Sequence, residues 1–560
     1  MKNFNYFLLQ TCIVGLLMMF FATGQTNAQT IWYVKPTATG NGSGNSWTNA
    51  SSDLQAMINS ALANDQIWVA NGTYKPNRRA DATATITPGD RDNAFVLKNN
   101  VKIYGGFAGT ETSTDQRKVS LGRIGGACIL SGDFNGNDGG NAQTGFTGMN
   151  ENAYHVVISS YDIGAACLDG FTITGGNANG SSSILVNGNS FFQNTGGGMC
   201  NCNRVSSSPL LTNVTISGNN ASSNGGGIYN SSSSSSPILI NVIISGNNAQ
   251  SGGGMCNSSS SPLLTNVIIS GNEVSGEGGG MYNTSSSSPV LTNVTINGNN
   301  ANDGGGGLMN NSSSPILTNV IIYGNSTSYN GGGMKNDYSS PILTNVSISG
   351  NMAIRGGGMY NYYSSYPIIR NSIIWNNGSS SNNIYNYVYL YIAYSYSLVD
   401  GVTDDTGGGL ILAGKDPLFV DVTGGNLHLQ AGSPCINVGS NTFFAAGQTP
   451  NLSSVTTDLD GNPRIVGSAI DLGAYEYPDA TGILHVTSDN SSISVYPNPV
   501  SESFQINGID KNTIVTLLDT SGKVVLRRAV APDEKISVAN LPLGIYIVCM
   551  ADKTIKVIKQ

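Results

Sequence analysis

The sequence predicts an all-β chain whose main body is a right-handed parallel β-helix, a solenoid of stacked coils. A glycine-rich block, GGGMCN and its relatives, ends at seven asparagines that lie 25 to 29 residues apart: Asn201, Asn230, Asn257, Asn283, Asn310, Asn336 and Asn361. A second block lies between these copies, as in SPLLTNVTISGN at 208–219. Aliphatic residues recur at fixed positions of both blocks. Each repeat therefore carries short strands that are buried only when coils stack.

At the N-terminus, Lys2 precedes a mostly apolar run over 7–21, and small residues follow up to Ala28. This pattern is typical of a secretory signal peptide, and the run is shorter than the roughly 20 residues that span a membrane. We expect residues 1–28 to be removed, which leaves no transmembrane anchor in the mature chain. The net charge of −8 provides no basic surface and argues against a nucleic-acid partner.

Three columns of residues in the repeats are predicted to face the core. The first column holds Leu211, Leu239, Leu264, Leu291, Leu317, Leu343 and Ile369. The second holds Ile216, Ile244, Ile269, Ile296, Ile322, Ile348 and Ile374, and the third holds Met199, Ile228, Met255, Met281, Leu308, Met334 and Met359. The alternation of a strand predicts that the position before the second column points outward, at Thr215, Ile243, Ile268, Thr295, Ile321, Ser347 and Ile373.

A column of asparagines marks a predicted tight bend, two residues after the first core column. Its members are Asn213, Asn241, Asn266, Asn293, Asn319, Asn345 and Asn371. We expect their amides to bond to the coils above and below as a buried ladder. Several lie in glycosylation sequons, such as the one at Asn293, but a glycan does not fit at a buried corner.

The seven cysteines that follow the predicted signal peptide stand at irregular positions, and their odd number implies no disulfide framework. We interpret them as small buried apolar residues. Cys128 and Cys167 could pair only if they lie on neighbouring coils.

Before the repeats, Leu54, Met57, Ile58, Ala61 and Leu62 fall on one face of a short helix that is predicted to cap the solenoid, and a strand is expected at 67–70. The predicted organisation is then a cap with leading coils at 29–187, repeats at 188–400, a terminal module at 401–478, a linker at 479–492 and a separate domain at 493–560.

Several stretches resemble exported bacterial β-helix proteins over roughly residues 30–478. VKIYGGFAGTETSTDQRK, CILSGDFNGNDGG, AYHVVIS and CLDGFTITGGNA resemble their leading coils. GGGMYN and ISGN resemble the repeats of polymorphic outer-membrane proteins, while DPLFVD, GSPCINVGS, TDLDGNPR and AIDLGAYEY resemble their choice-of-anchor type terminal module. The resemblance implies export and a pectin lyase-like β-helix, with no established activity.

The last segment resembles the type A C-terminal sorting domain of the type IX secretion system of Bacteroidota, through VYPNPVSESFQI, TLLDTSGKVVLRR, LPLGIYIV and KTIKVIKQ. The family's motif positions are occupied by Tyr496, Pro497, Asn498, Pro499, Gly522, Gly544 and Tyr546. The resemblance implies a small Ig-like β-sandwich, the secretion machinery as a partner, and a final location at the cell surface or outside the cell.

No catalytic residues are predicted. Between 187 and 377 the charged residues are few and mostly fall in loops, and His155, His428 and His485 are too scattered for a metal cluster. The loops at 133–138 and 458–462 offer oxygen atoms at alternate positions, as calcium-binding loops do. Hydrogen-bonded turns rich in Asp and Asn have the same sequence pattern without a metal. We therefore predict no cofactor and leave calcium open.

Tyr387, Tyr389 and Tyr391 alternate with mostly aliphatic residues, so they are predicted to point outward along one strand and to bind glycan rings. The leading interpretation is a non-enzymatic, adhesin-like surface protein whose β wall binds a polysaccharide or a surface ligand. The alternative is a polysaccharide lyase or glycoside hydrolase on the same scaffold.

Overall fold

The computed structural model describes residues 29–119, 128–161, 163–202, 208–232, 236–379, 383–387, 392–401, 412, 414–478, 494–509, 512–519, 524–550 and 553–559. The chain divides into two compact units, 1–479 and 480–560. The predicted signal peptide lies outside the described residues. The first unit is a parallel β-helix, as the sequence predicts.

Sheet 1 is the longest wall of the β-helix, and all of its strands run parallel. Its strands are Ile31–Val34, Gln66–Ala70, Gly72–Tyr74, Lys102–Phe107, Cys128–Ser131, Cys167–Asp169, Phe171–Thr174, Leu210–Thr212, Thr215–Ser217, Ile238–Ser245, Leu263–Ser270, Val290–Asn297, Ile316–Tyr323, Ile342–Ser349, Ile368–Arg370, Ile373–Trp375, Ala393–Ser395 and Leu398–Val399.

Two further walls complete each coil. Sheet 2 has two-residue strands at Asn177–Ala178, Asn220–Ala221, Asn248–Ala249, Glu273–Val274, Asn300–Ala301, Ser326–Thr327, Met352–Ala353 and Gly378–Ser379. Sheet 3 is formed by Phe95–Val96, Val157–Ser159, Met199–Cys202, Ile228–Ser231, Met255–Ser258, Met281–Thr284, Leu308–Asn311, Met334–Asp337, Met359–Tyr362 and Ile384–Asn386. One repeat therefore passes through sheet 3, sheet 1 and sheet 2 in turn.

The glycine-rich block makes the corner before sheet 3, where successive coils approach each other closely. A Cβ atom on Gly254 would lie 2.6 Å from the carbonyl oxygen of Gly280 on the next coil. Only glycine fits at such a contact, because any side chain would push the coils apart. This requirement explains why the glycines recur in every repeat.

The three predicted core columns are confirmed, since all of their members are buried in one continuous apolar core. A fourth inward column was not predicted from the sequence. It is formed by valines one residue after the bend: Val214, Val242, Val267, Val294, Val320 and Val346. The predicted asparagines at the bend all have left-handed backbone angles, for example φ of 55° at Asn266. This turn interrupts the two-residue alternation, so Leu264 and Val267 both face inward.

The asparagine column forms an outer ladder, and its predicted burial is wrong for the first four members. Asn293 donates to Oδ1 of Asn266, and Asn266 donates to Oδ1 of Asn241, each at 3.2 Å. However, Asn266 is exposed, and Asn213, Asn241 and Asn293 are half-buried. These side chains point away from the core because their left-handed backbone turns them outward. The argument that a buried corner excludes a glycan therefore does not hold at Asn293.

Two inner ladders lie at the other corners, and both are fully buried over most of their length. The first inner ladder contains Asn219, Asn247, Asn272, Asn299, Asn325, Asn351 and Asn377. The second contains Asn201, Asn230, Asn257, Asn283, Asn310, Asn336, Asn361 and Asn386. In each ladder the amide of one coil donates to the amide oxygen of the next.

The capping helix spans Leu54–Ser60 and ends two residues before Leu62, the last residue of the predicted apolar face. Asp53 caps it by accepting a hydrogen bond from the backbone N–H of Ala56 at 2.8 Å. Leu54, Met57, Ile58 and Ala61 are buried against the core, but Leu62 is 58% exposed because the helix has ended. The predicted strand at 67–70 begins one residue earlier, at Gln66. Short 3₁₀ turns occur at Trp47–Asn49, Thr114–Gln116, Met149–Glu151 and Asn441–Phe444.

The terminal module, here residues 414–478, packs on the outer face of sheet 1 near its end. It contributes a hairpin of Phe419–Asp421 and Asn426–Leu429 and an apolar cluster with Ile321 and Ile373. The predicted outward column therefore changes its surroundings along the solenoid. Its first four members are half-buried, whereas Ile321, Ser347 and Ile373 are buried under the module.

The six cysteines from Cys128 to Cys435 are buried and free, which agrees with their interpretation as small apolar residues. Cys128 aligns with Phe171 and not with Cys167, so this predicted possible pair does not stack. Two further hairpins project from the leading coils, Gly139–Asn141 with Gly145–Thr147 and Ser183–Val186 with Asn189–Phe192.

The second unit contains two antiparallel sheets that share one apolar core, as expected for a small β-sandwich. One sheet is formed by Ser494–Tyr496, Ser503–Asn507 and Lys535–Ser537. The other is formed by Thr513–Asp519, Val524–Val530, Gly544–Met550 and Lys553–Lys559.

Candidate functional site

The outer face of sheet 3 carries the candidate site, because its side chains change sharply along the solenoid. The position after the third core column holds Cys200, Tyr229, Cys256, Tyr282, Met309, Lys335, Tyr360 and Tyr385 in successive coils. The position two residues later holds Cys202, Ser231, Ser258, Thr284, Asn311, Asp337 and Tyr362. Aromatic residues therefore accumulate on the last coils of this wall.

We call the resulting surface the tyrosine patch, formed by Tyr338, Tyr360, Tyr362, Tyr363, Tyr385 and Tyr387. The rings of Tyr360 and Tyr385 stack in parallel, with centroids 5.4 Å apart. Tyr338 and Tyr363 stack at 5.2 Å, and the rings of Tyr362 and Tyr387 lie 4.6 Å apart. The parallel register of sheet 3 produces this arrangement, since it places equivalent positions of successive coils side by side.

The patch has a supporting layer and an exposed layer. Tyr360 is buried, whereas Tyr338 is 55% exposed and Tyr363 and Tyr387 are about 40% exposed. Burial raises the pKa of Tyr360, and the neighbouring Tyr363 hydroxyl raises the pKa of Tyr362. These two hydroxyls are therefore protonated at neutral pH and can donate hydrogen bonds.

Charged groups border the patch. Arg355 lies over the ring of Tyr385, with its guanidinium carbon 5.4 Å from the ring centroid. Lys335, one coil before Tyr360, forms an ion pair with Glu277. Asp337 lies beside Tyr362, one coil earlier at the equivalent position. Its buried Oδ1 atom has no hydrogen-bond partner. Burial, together with the charge of Glu277, raises the pKa of Asp337.

The structure places one of the three predicted binding tyrosines in this patch. Tyr387 is exposed, and its backbone N–H donates to the carbonyl oxygen of Asn361 at 2.9 Å. Tyr389 and Tyr391 lie outside the described residues. The predicted stripe of tyrosines along one strand does not form, because strand Ile384–Asn386 ends before Tyr387. Tyr387 instead contacts tyrosines of the preceding coil.

Sequence reasoning missed the other patch residues, although a signal was present. The third core column and the second inner ladder flank one outward position, and tyrosine fills that position in the last two coils, at Tyr360 and Tyr385. Comparison of this outward position from coil to coil, instead of along one strand, reveals Tyr360 and Tyr385.

The structure describes two of the three histidines, and they lie in different parts of the first unit. His155 is fully buried in the leading coils, with Nδ1 3.0 Å from the carbonyl oxygen of Gly196, and burial lowers its pKa. His428 lies in the terminal module, where Nε2 is 2.7 Å from Asp460 and the ring stacks on Tyr475. His485 lies outside the described residues. Carboxylates that could hold a metal ion occur at Asp133, Asp138 and Glu151, several coils before the tyrosine patch.

The predicted sorting motif falls on the edges and turns of the second unit. Tyr496 ends the first strand and is exposed, while Asn498 accepts a hydrogen bond at Oδ1 from the backbone N–H of Ile558 at 2.9 Å. Gly544 begins a strand, and the hydroxyl of the buried Tyr546 donates to the carbonyl oxygen of Pro542 at 2.8 Å. Pro497 and Pro499 flank Asn498, and Gly522 lies outside the described residues.

Comparisons with known proteins give one family match. Residues 494–560 match the family described as the secretion system C-terminal sorting domain. No curated protein matches the sequence. In the described part of the chain, no helix has the length and apolar character needed to cross a membrane.

Solved structures with a distant likeness come from carbohydrate-active proteins. The pectate lyase Pel9A is 13% identical, with a TM-score of 0.44 over 80% of this chain and 97% of that chain. XylC in complex with xylose is 9% identical, with a TM-score of 0.37 over 80% and 99% of the two chains. The pectin methylesterase from Aspergillus niger is 11% identical, with a TM-score of 0.29 over 68% and 88%.

Proposed function

Because residues 494–560 are a type IX secretion sorting domain and the chain is therefore exported to the cell surface or the extracellular space, we propose that the β-helix binds polysaccharide through the tyrosine patch. In this proposal residues 1–28 are the signal peptide that brings the chain to the periplasm, and the protein acts as a non-enzymatic, adhesin-like binder. The observation that carries the proposal is the stack of exposed tyrosine rings across successive coils of sheet 3.

The ring arrangement supports a carbohydrate ligand. Sugar rings present C–H faces that pack on aromatic rings, and tyrosine combines a broad apolar face with a hydroxyl that bonds polar groups. Tyr338, Tyr363 and Tyr387 offer such faces on three successive coils, and this succession suits an extended polymer. Tyr360 lies buried beneath them and fixes the position of Tyr385 by stacking.

The charged border supports contacts to hydroxyl or carboxyl groups of the polymer. Arg355 is exposed and provides a forked donor, while Asp337 and Glu277 provide acceptors within the same region of sheet 3. Arginine binds carboxylates through paired hydrogen bonds. An acidic polysaccharide is therefore the preferred ligand class.

The test replaces Tyr338, Tyr363 and Tyr387 by alanine together and measures retention of the purified protein on immobilised polysaccharides, with a pectin among them. The matched control is Phe192→Ala, since Phe192 is 55% exposed, like Tyr338, but lies on a hairpin of the leading coils. A second variant, Tyr389→Ala with Tyr391→Ala, tests the two predicted binding residues that are not described.

We expect the triple variant to keep its circular dichroism spectrum and lose most of its retention, since each stacking contact contributes about 0.5 to 1.5 kcal/mol. The Phe192 variant should bind like the wild type. Retention that survives loss of all three tyrosines in a folded protein would exclude the patch as the binding site.

A polysaccharide lyase or glycoside hydrolase is the second candidate, and one observation favours it. Glu277, Lys335 and Asp337 bring two acids and a base to the border of the tyrosine patch, where a bound polymer would pass. Glu277→Gln should then abolish the release of reducing ends or unsaturated products, while it lowers polymer retention less than the triple tyrosine variant does. Absence of any product from the wild-type protein would leave binding as the function.

A further inference from the structure

Carboxylate oxygen atoms from two separate segments converge at the edge of the leading coils. The loop after strand Cys128–Ser131 supplies Asp133 and Asp138, and the 3₁₀ turn Met149–Glu151 supplies Glu151. Carboxylate oxygens of these three residues all lie within 4.8 Å of one another. The sequence separation between Asp133 and Glu151 means that the fold, and not one turn alone, assembles this group.

The group is acidic beyond what its neighbours neutralise. Lys75 is close, and its Nζ donates to the carbonyl oxygen of Phe134 at 3.1 Å. One ammonium thus faces three carboxylates. Bringing these groups together therefore costs free energy that a bound cation would offset.

Two buried oxygens at the same place have no hydrogen-bond partner, namely Oε1 of Glu151 and Oδ1 of Asn152. Asn152 is fully buried, and its amide lies against the cluster, because Nδ2 donates to Oδ2 of Asp138 at 2.8 Å and to the carbonyl oxygen of Gly175 at 2.7 Å. A buried oxygen without a partner destabilises the folded chain. Both atoms are of the type that ligates hard cations. Nδ2 of Asn152 now faces Asp138 and Gly175, and a half-turn of this amide would bring Oδ1 to the cluster and free the carbonyl oxygen of Gly175.

The loop at 458–462 has a similar sequence, but its carboxylate oxygens have a different role. In Asp458–Asn462 the carboxylate of Asp458 accepts from the backbone N–H groups of Asp460, Asn462 and Glu476. That loop is a hydrogen-bonded turn, as the sequence suggests. At Asp133 the same kind of turn exists, but Asp138, Glu151 and Asn152 add oxygens that the turn does not use.

Gly175 allows the segments to close around this point. Its φ is 72°, and a Cβ there would lie 2.9 Å from the backbone nitrogen of Asp133 and 3.2 Å from Oδ2 of Asp138. A side chain would therefore occupy the space between the carboxylates and the solenoid. The glycine also leaves its carbonyl oxygen facing Asn152.

We propose that Asp133, Asp138, Glu151 and Asn152, with the carbonyl oxygen of Gly175, form a calcium-binding site that ties the 133–138 loop and the 149–152 turn to the solenoid. The donors are all oxygen atoms, which hard cations prefer. Calcium accepts 6 to 8 oxygens in irregular geometry, whereas magnesium requires a near-ideal octahedron and loses water reluctantly. A mixture of carboxylate, amide and backbone oxygens from three segments fits calcium. A site of this kind serves stability and stands apart from polysaccharide binding.

The test titrates calcium chloride into the purified, chelator-treated protein by isothermal calorimetry and compares Asp138→Asn and Glu151→Gln with Asp90→Asn. Asp90 is the matched control because it belongs to another three-carboxylate group, with Asp81 and Asp92, in which each carboxylate forms a direct ion pair with Arg79. The wild type should bind one calcium ion and melt at a higher temperature with calcium than with the same concentration of magnesium.

We expect Asp138→Asn and Glu151→Gln to raise Kd at least about tenfold, and Asp90→Asn to leave it unchanged. Asp138 lies at the rim and its replacement is isosteric, so that variant decides alone if Glu151→Gln fails to fold. The proposal is overturned if the wild type shows no saturable calcium binding at the millimolar concentrations typical of extracellular sites, or if Asp138→Asn binds as the wild type does.

Discussion

Arg464 donates a hydrogen bond from its guanidinium NH1 group to Oδ1 of Asn319, a residue 145 positions earlier, at 3.1 Å. Asn319 belongs to the outer ladder and donates to Oδ1 of Asn293 at 3.0 Å, and also to the carbonyl oxygen of Thr457 at 2.8 Å. One side chain thus serves both the stacking of coils and the docking of the terminal module. Asn345, the next member of the outer ladder, also holds the terminal module, since it donates to the carbonyl oxygens of Asp471 and Gly473.

The outer ladder should therefore differ in importance along its length. Asn319→Ala should lower the free energy of unfolding more than Asn293→Ala, by about 1 to 3 kcal/mol, because the buried guanidinium of Arg464 loses a partner. Both residues have φ near 50°, 52° at Asn319 and 55° at Asn293, so the strain of an alanine is the same in each. Urea unfolding of the two variants measures the difference. Equal losses would show that the contact to Arg464 contributes nothing.

The buried acids around Arg464 predict a pH dependence of stability. Arg464 pairs with Glu476, and Asp458 and Asp471 are buried in the same module. Asp458 and Asp471 accept hydrogen bonds from backbone N–H groups, whereas Oε2 of Glu476 has no partner. Burial therefore raises the pKa of Glu476 to about 8 despite the nearby guanidinium. Glu476 is the group that takes up a proton.

The sign follows from proton binding. Between the unfolded pKa, near 4.5, and the folded pKa, about 8, the folded state binds more protons at Glu476 than the unfolded state. This contribution to stability is complete below pH 4.5 and is lost as the pH rises to 8, with a slope of at most about 1.4 kcal/mol per pH unit. Melting temperatures from pH 5 to 9 should therefore fall for the wild type and fall less for Glu476→Gln. The same slope in both proteins would assign the effect to other groups.

The first inner ladder should be the most sensitive polar feature of the coils. Asn299 donates to the carbonyl oxygen of Ile269 and to Oδ1 of Asn325, and its Oδ1 accepts from the backbone and side-chain N–H groups of Asn272. Asn299→Ala leaves these buried groups unpaired, so we expect a loss of more than about 3 kcal/mol. Asn297→Ala is the control, because Asn297 is half-buried and donates once, to Tyr323. Denaturant midpoints that shift equally in the two variants would contradict the prediction.

Removal of residues 494–560 should retain the protein inside the cell envelope. The β-helix belongs to a separate compact unit, so it should still fold. Cell fractionation and immunoblotting should find the truncated chain in the periplasm and the full-length chain outside, with the Phe192→Ala protein exported as the control. Truncated protein in the culture medium would show that another segment directs export.

The repeats were predictable because they are local and periodic. Leu291, Ile296 and Met281 stand at fixed spacing, and a period of one coil defines which residues stack. The burial of Asn293 was mispredicted because a left-handed residue reverses the direction of a side chain, which letter spacing does not reveal.

The terminal module and the patch depend on contacts that no local pattern encodes. Ile321 and Ile373 occupy an outward column, and only the packing of Phe419 and its neighbours buries them. Tyr387 was found because it lies in an obvious alternation, whereas Tyr338 and Tyr363 stack across coils from loop positions. The orphan oxygen of Asn152 is likewise visible only once three segments meet.

Because the inner ladders repeat the same hydrogen bonds in every coil, one coil can take the place of another in these ladders. Asn257 donates to Asn283 at 2.8 Å, and Asn283 donates to Asn310 at 2.9 Å, so each coil presents the same bonds to whichever coil follows. A duplication or deletion of one repeat in the gene would preserve this pattern of ladder bonds between the remaining coils. Each such event moves the tyrosine patch relative to the capping helix by one strand spacing, about 4.8 Å. The number of coils therefore sets the distance between the tyrosine patch and the capping helix, and evolution can change that distance by gain or loss of repeats.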